Sequence, residues 1–368
     1  MLDIEVLRVI WWVLIGVLLM GFAVTDGFDL GAAILFPLVA KNETERRIVL
    51  NAIGPFWEGN QVWIILGAGA IFAAWPYVYA VAFSGFYLLM LLLLLTMGIS
   101  RPVSFKYRDK LPSLYWRRFW DRIVFIGGIF PAVIIGILVG NVLLGAPFHF
   151  DDTLRIYYTG SFWDLFQPFA WWCGLTSLVM LVMHGGLYLA IKTEHPIRSR
   201  AIFWSRWAAF ALIICFAVGG VWIAFIMGYS IVGTVDPFAY SNPLHKEVTT
   251  MIGGWLENYS RYPLSMMIPA LGLLGACSVV IIAHYSRCAF ICSSLSMIGV
   301  IGTVGVSMFP FILPSTDDLQ SSLLVWDASS GRFTLLLMLF AVIVFLPIIL
   351  LYTSWVYYAL RGKVHDQY

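Results

Sequence analysis

Six ionisable side chains fall inside or at the edges of strongly apolar runs: Asp26, Asp29, Glu58, Arg101, Asp121 and His184. Charge is costly in a bilayer, so each is by default a candidate for proton or ion chemistry. Asp26 and Asp29 lie in FAVTDGFDLGAA. Three residues apart on a helix, they share one face. Two carboxylates this close in a low dielectric cannot both ionise cheaply, which suits a proton carrier. Gly27 and Gly31 let a neighbouring backbone approach. The plainer reading is that these acids sit near one end of a long helix and hold loops.

The run Trp57-Glu58-Gly59-Asn60-Gln61-Val62-Trp63 is the most unusual in the chain. Trp57, Asn60 and Gln61 make the start of an apolar helix polar, and Glu58 and Gln61 share a face. The amide could hold the carboxylate or pass a water chain. An interfacial aromatic belt explains Trp57 and Trp63 but not Glu, Asn and Gln together. Arg101 and Asp121 read as membrane-edge charges. His184 is the one histidine well inside a span. It could ligate one haem, but packing or a hydrogen bond is the favoured reading, and several doubly ligated haems are excluded. No Walker loop, dinucleotide fingerprint, HExxH or GxSxG occurs, and no metal site is expected.

These residues must be positioned by membrane helices. Of 368 residues, 61% are hydrophobic and 11% charged, and mean hydropathy is +0.88. A soluble domain carries about 25% charge, so a soluble globular protein, a disordered chain and a nucleic-acid binder are excluded. A membrane barrel would show alternating segments of about ten residues, and none is seen. The fold class is therefore an all-α polytopic membrane protein forming one transmembrane domain over 1–368. About nine spans are expected, near 9–36, 55–75, 78–100, 122–144, 165–191, 203–227, 263–283, 289–313 and 333–357. Pro76 marks a tight connection between the second and third, and Pro310 and Pro347 are candidate kinks. An outer loop covers about 228–262, with a short surface helix near 243–258, and a second large loop covers 101–121 on the other side.

With nine spans, 17 of the 22 Lys and Arg residues fall on one set of connections. The positive-inside rule places that set in the cytoplasm, so the N-terminus faces outward and the C-terminus inward. The N-terminus is acidic at Asp3 and Glu5 before its apolar run, which reads as an uncleaved spanning helix rather than a secretory signal. The five cysteines are odd in number, lack a CxxC pair and read as buried inert thiols. A faint echo relates spans one to four with five to eight, through Gly27 and Gly31 against Gly185 and Gly186.

Taken together, the motifs resemble subunit II of the cytochrome bd-type ubiquinol oxidases. The matching stretches include LRVIWWVLIGVLLMGFAVTDGFDLG at 7–31, FWEGNQVW at 56–63, RPVSFKYR at 101–108, RIYYTGSFWDLFQPF at 155–169, SNPLHKEV at 241–248, MFPFILPS at 308–315 and VWDAS at 325–329. They span nearly the whole chain. The resemblance implies two four-helix bundles plus one peripheral helix. It implies a heterodimer with a haem-bearing subunit I, which carries haems b and d and the quinol-binding loop, and sometimes a small single-span subunit. It implies a respiratory complex of the bacterial inner membrane that oxidises quinol and reduces oxygen to water with cytoplasmic protons. For this chain it implies no haem ligation, a proton path with Glu58 and with Asp26 and Asp29 as helpers, and oxygen access past Trp63. A structural quinone occurs in some members. The family's commonest acid in the GNQVW motif is Asp, and here it is Glu58. The competing readings are a proton-coupled membrane transporter and a membrane haem electron carrier, the latter disfavoured by the lack of paired histidines.

Overall fold

A computed structural model describes residues 2–364. Thirteen α-helices run in chain order: α1 Ile4–Val39, α2 Glu43–Ile53, α3 Trp57–Ala74, α4 Pro76–Gly85, α5 Tyr87–Leu93, α6 Arg101–Tyr107, α7 Leu114–Leu144, α8 Pro168–Lys192, α9 Ile197–Ile223, α10 Glu257–Arg261, α11 Met267–Ile282, α12 Ser286–Met308 and α13 Arg332–Ala359. Eight helical segments are long and apolar enough to cross a membrane, and a ninth results if α3 and α4 count as one broken span. At 1.5 Å per residue α1 is about 54 Å long, well beyond a hydrocarbon core of about 30 Å.

Helices α1, α3, α5–α6 and α7 form one bundle, and α8, α9, α11 and α12 form another. Helices α1 and α7 also pack on α8, which joins the two. Helix α13 lies outside; Leu335 is its only buried residue among those described. The expected architecture of two bundles and a peripheral helix is present. The glycines of the suspected repeat turn out to meet each other. A Cβ on Gly31 would strike the Leu181 carbonyl and lie 3.0 Å from the Gly185 Cα, so α1 and α8 cross with their backbones in contact.

Two expected boundaries are corrected. Pro76 does not simply connect two spans: it starts α4, which is turned 118° from α3. Proline is suited to a helix's first turn and cannot continue the preceding one. Trp75 takes the non-helical corner (φ −131°, ψ 74°), and its indole donates to the Val325 carbonyl at 3.3 Å. The third span then runs from Tyr87 to Tyr107, through a seven-residue π-helical stretch at Leu94–Ser100. The expected loop 101–121 shrinks to a few residues, because α6 and the first two turns of α7 are helical. Span eight stops at Met308 rather than 313.

The fold is not purely helical. Three antiparallel hairpins decorate one end: β1 Phe148–Phe150 with β2 Ile156–Tyr158, β3 Met227–Val232 with β4 Glu247–Ile252, and β5 Phe311–Leu313 with β6 Leu323–Leu324. The second replaces most of the expected surface helix at 243–258. EVTTMI is β-branched and alternates exposure, as an edge hairpin requires. Arg8 pins the start of α1 into this cap, donating to Ser329 Oγ at 2.8 Å and to the Pro237 carbonyl at 2.5 Å. Lys246 and Asp327 form a buried ion pair at 2.6 Å. The opposite end carries most of the basic residues.

Candidate functional site

The site is assembled by three elements around α1. Asp26 and Asp29 point from one face of α1 and are 0% and 1% exposed. The π-helical stretch widens the third span just before Arg101, and such bulges shift the phase of the residues that follow. Arg101 is fully buried, and its Nη2 donates to Asp26 Oδ1 at 2.7 Å. This corrects the expected membrane-edge position of Arg101: the helix continues past it, so its side chain turns into the bundle.

Helix α3 brings Asn60, which donates from Nδ2 to Asp29 Oδ2 at 2.8 Å. The peripheral α13 brings Tyr357, whose hydroxyl donates to Asn60 Oδ1 at 2.7 Å. Phe56 stacks on Tyr357 at 4.8 Å, and Phe28 stacks on Tyr188 at 3.9 Å, so aromatic rings wall the chain Tyr357–Asn60–Asp29. Asp26 Oδ2, Asp29 Oδ1 and Arg101 Nε and Nη1 are buried without a hydrogen-bond partner among the described residues. Buried polar atoms are satisfied nine times in ten or more. Four orphans in one cluster set it apart from a finished structural bridge.

The cluster holds two carboxylates and one cation. Asp26 is balanced by Arg101, whereas Asp29 is held only by a neutral amide. Sequence reasoning found both acids and Asn60 but missed Tyr357. A tyrosine in LLYTSWVYYA near the end of a span reads as aromatic belt, and only the packing of α13 on α1 and α3 turns it inward.

The sequence profile of the cytochrome bd terminal oxidase subunit II family matches residues 7–360. The chain belongs to this family. It is 46% identical over 367 residues to the cytochrome bd-I ubiquinol oxidase subunit 2 of Escherichia coli K12, covering 99% of this chain and 97% of that one. It is 46% identical to a probable cytochrome oxidase subunit 2 of Haemophilus influenzae, with the same coverage. The Bacillus subtilis cytochrome bd ubiquinol oxidase subunit 2 is 28% identical over 96% of each chain. The bd oxidase structure from Geobacillus thermodenitrificans shares the fold at a TM-score of 0.66 and 14% identity, over 94% of this chain and 96% of that one. The resemblance read from the motifs therefore holds: this is a multi-pass membrane subunit of an oxidoreductase complex.

In this bd oxidase subunit the remaining candidates fall elsewhere. Glu58 is not in the buried cluster. Its side chain is 65% exposed and pairs with Lys106 at 3.4 Å, because it stands two residues from Asn60 and so on another side of α3. Gln61 does not reach Glu58 in this arrangement; its amide donates to the Met97 carbonyl in the π-helical stretch at 3.4 Å. Trp57 is buried and stacks on Phe105 at 5.9 Å. Trp63 is buried between α1 and α3. A Cβ on Gly21 would lie 2.8 Å from its ring, so glycine there makes room for the indole.

His184 uses both ring nitrogens, one with Ser293 Oγ at 2.7 Å and one with the Val24 carbonyl at 2.9 Å. That arrangement does not fit a haem ligand, and no group of three or more His, Cys, Asp or Glu side chains with metal-binding geometry occurs among the described residues. Five cysteines are free, but only Cys215 is buried; Cys173, Cys277 and Cys292 are half-buried and Cys288 is exposed, which corrects the expectation of buried thiols.

Asp121 is in the subunit's basic end, where it accepts from Arg46 at 2.8 Å and Arg108 at 2.6 Å. It is thus a partner in an ion-pair network rather than an isolated edge charge. Arg108 also grips Glu43 with both Nη atoms, at 3.0 and 3.1 Å. Burial pushes the Glu43 carboxyl up, but Arg108, Arg117 and Arg47 outweigh it and hold Glu43 below the usual carboxylate range. Burial likewise opposes Glu45, and Lys41 and Arg200 bring it below that range too. The network ties α2 to α6, α7 and α9.

Proposed function

We propose that this chain is the haem-free subunit of a bd-type quinol:oxygen oxidoreductase of the bacterial inner membrane. In this reading it scaffolds a haem-bearing subunit I and delivers protons toward the buried site of oxygen reduction. The observation that carries it is the buried Asp26–Arg101 pair with a second carboxylate, Asp29, one turn away and bound to no cation. Arg101 keeps Asp26 compensated, so Asp29 is the member free to exchange a proton through Asn60 and Tyr357. Glu58 stands outside as a collecting carboxylate at the basic end, which the positive-inside rule assigns to the cytoplasm. The N-terminus is then outside and the C-terminus inside.

The test is quinol-dependent oxygen uptake by the assembled complex. Asp29→Asn keeps the shape of the side chain and removes the exchangeable acid. Turnover is expected to fall about 100-fold, the scale of a positioned proton-transfer group, with the haem spectrum unchanged. Glu58→Gln is expected to cost less, since water and Lys106 surround it. Unchanged turnover in Asp29→Asn would place proton flow elsewhere. Solute uptake by the reconstituted chain alone would favour the transporter reading.

Oxygen access past Trp63 is a second role, supported by the indole's tight seat against Gly21 between two helices. Trp63→Phe leaves a smaller ring in that seat. The concentration of oxygen giving half-maximal turnover is expected to change; an identical oxygen dependence counts against a path there.

A further inference from the structure

The basic end of the molecule holds two kinds of cation. On one side Arg46, Arg47, Arg108, Arg117 and Arg200 are all matched by Glu43, Glu45, Asp109 or Asp121. On the other side Arg198, Arg206 and Arg287 have no acidic partner among the described residues. Arg198 donates only to the His284 carbonyl at 3.2 Å, and Arg206 meets His284 Nδ1 at 3.0 Å. Arg206 Nε is buried with no partner among the described residues.

Arg198 and Arg287 line a groove of about 370 Å³ between the end of α8, the starts of α9 and α12, and the C-terminal segment, and Arg206 meets it through His284. Its walls include Arg198, Arg287 and Lys363, together with His284, Tyr285 and Ser286, and no acidic side chain. The first turn of α12, a helix of 23 residues, opens here with its free N–H groups and partial positive charge. Lys363 has one acidic contact, Glu194 at 3.0 Å. The five arginines of the network on the other side of the same end are each paired within the chain. Here no acidic side chain among the described residues pairs with Arg198, Arg206 or Arg287.

What lies beside the groove says which anion. Further along the spans, α9 exposes Phe203 and Trp207, α11 exposes Ile281 and α12 exposes Ile291, with exposures of 55 to 72%. An unpaired basic groove at the end of membrane spans, continuous with an apolar face, fits an amphiphile with an anionic head. We propose that this groove binds the phosphate headgroup of an anionic phospholipid, whose acyl chains lie along α9, α11 and α12. Arg198, Arg287 and Lys363 contact the phosphate, and Arg206 orders His284 beneath it. The inference is independent of any proton or oxygen role for the chain.

The native Cys288 lines the groove and is exposed, so it reports occupancy without an engineered label. The experiment uses the assembled complex, purified in an uncharged detergent and stripped of lipid. Maleimide alkylation of Cys288 is followed by peptide mass spectrometry while mixed micelles of phosphatidylglycerol or phosphatidylcholine are added. Phosphatidylglycerol is expected to slow alkylation and phosphatidylcholine is not, while Cys277 is unaffected by either.

With each juxtamembrane cation worth about a factor of five in affinity, Arg198→Gln with Arg287→Gln should raise the protecting lipid concentration about 10-fold or more. If that double variant does not assemble, Arg287→Gln alone suffices, since Arg287 makes no hydrogen bond or ion pair among the described residues, and a shift of several-fold is expected. Equal protection by both lipids, or no shift in the variants, overturns the proposal. Protection by inorganic phosphate alone at matched concentration makes this a free-anion site and overturns the lipid assignment. A Cys288 that is inaccessible in the lipid-free complex means a protein partner covers the groove, and also overturns it.

Discussion

Two assemblies of carboxylates and guanidinium groups lie within the same half of this molecule and are built on opposite terms. At the basic end, Arg108 is gripped by Glu43 through both Nη atoms and by Asp121 through Nε. Asp121 in turn accepts from Arg46. Inside the bundle, Arg101 meets one carboxylate oxygen of Asp26 and leaves two of its own nitrogens bare. A second acid, Asp29, adds a carboxyl group that nothing cationic touches. The first assembly is a clip that closes α2 onto α6 and α7. The second is acid-rich and under-satisfied in a place where desolvation is most severe. Such an arrangement costs stability and is not completed by the fold, and the proton role proposed above rests on it.

That contrast can be broken at several points. The largest effect is expected at Arg101→Ala. Removing one partner of a fully buried pair leaves an uncompensated charge and costs about 3–5 kcal/mol. The complex should lose thermal stability or fail to assemble, as read from its melting temperature and haem content. Arg101→Gln combined with Asp26→Asn, which removes both charges, should recover much of the loss. If Arg101→Ala melts like the parent, the pair is not the compensated half of the cluster.

Tyr357→Phe is expected to act next. It deprives the Asn60 carbonyl of its donor and costs about 1–3 kcal/mol as a buried unsatisfied acceptor. Turnover should fall with it, though less than in Asp29→Asn. Equal oxygen uptake would mean that protons reach Asp29 without the peripheral helix.

The smallest effect is a pH dependence of the clip. Glu43 and Glu45 titrate below the usual carboxylate range in the folded chain. Their contribution is complete above the unfolded value of about 4.3 and is lost as pH falls through the lower folded values. Amide hydrogen exchange in α2 should therefore quicken on the acid side of pH 4, ahead of exchange in α1 or α8. Exchange in α2 that is flat across that range would show that the ion pairs do not hold it.

Much of the site was legible before any coordinates. Asp26 and Asp29 announce themselves because acids are rare in apolar runs, and their three-residue spacing places them on one face. Asn60 stood out for the same reason. The role of Arg101 was not legible. RPVSFKYR reads as a basic loop, and nothing local in it signals that the helix continues through a widened stretch past the arginine, whose side chain reaches Asp26. Glu58 was the reverse case: its motif drew attention, yet the helix turns it toward Lys106 and water. The hairpin at 227–252 was hidden by its length and by loop-like flanks.

What the sequence alone determined is the class of molecule: a membrane chain of about nine spans, the sidedness of its basic residues and the family motifs that run through it. Hydropathy and residue spacing are local quantities, and a bilayer enforces them without reference to any distant contact. The tertiary structure decided which polar groups meet. Arg101 reaches Asp26 across 75 residues and Tyr357 reaches Asn60 across 297. Such pairings depend on how helices cross, on where a proline turns one by 118° and on glycines that let backbones touch. Burial then sets what the charges cost, because an unpaired carboxylate loses its hydration in a dry bundle and keeps it beside water.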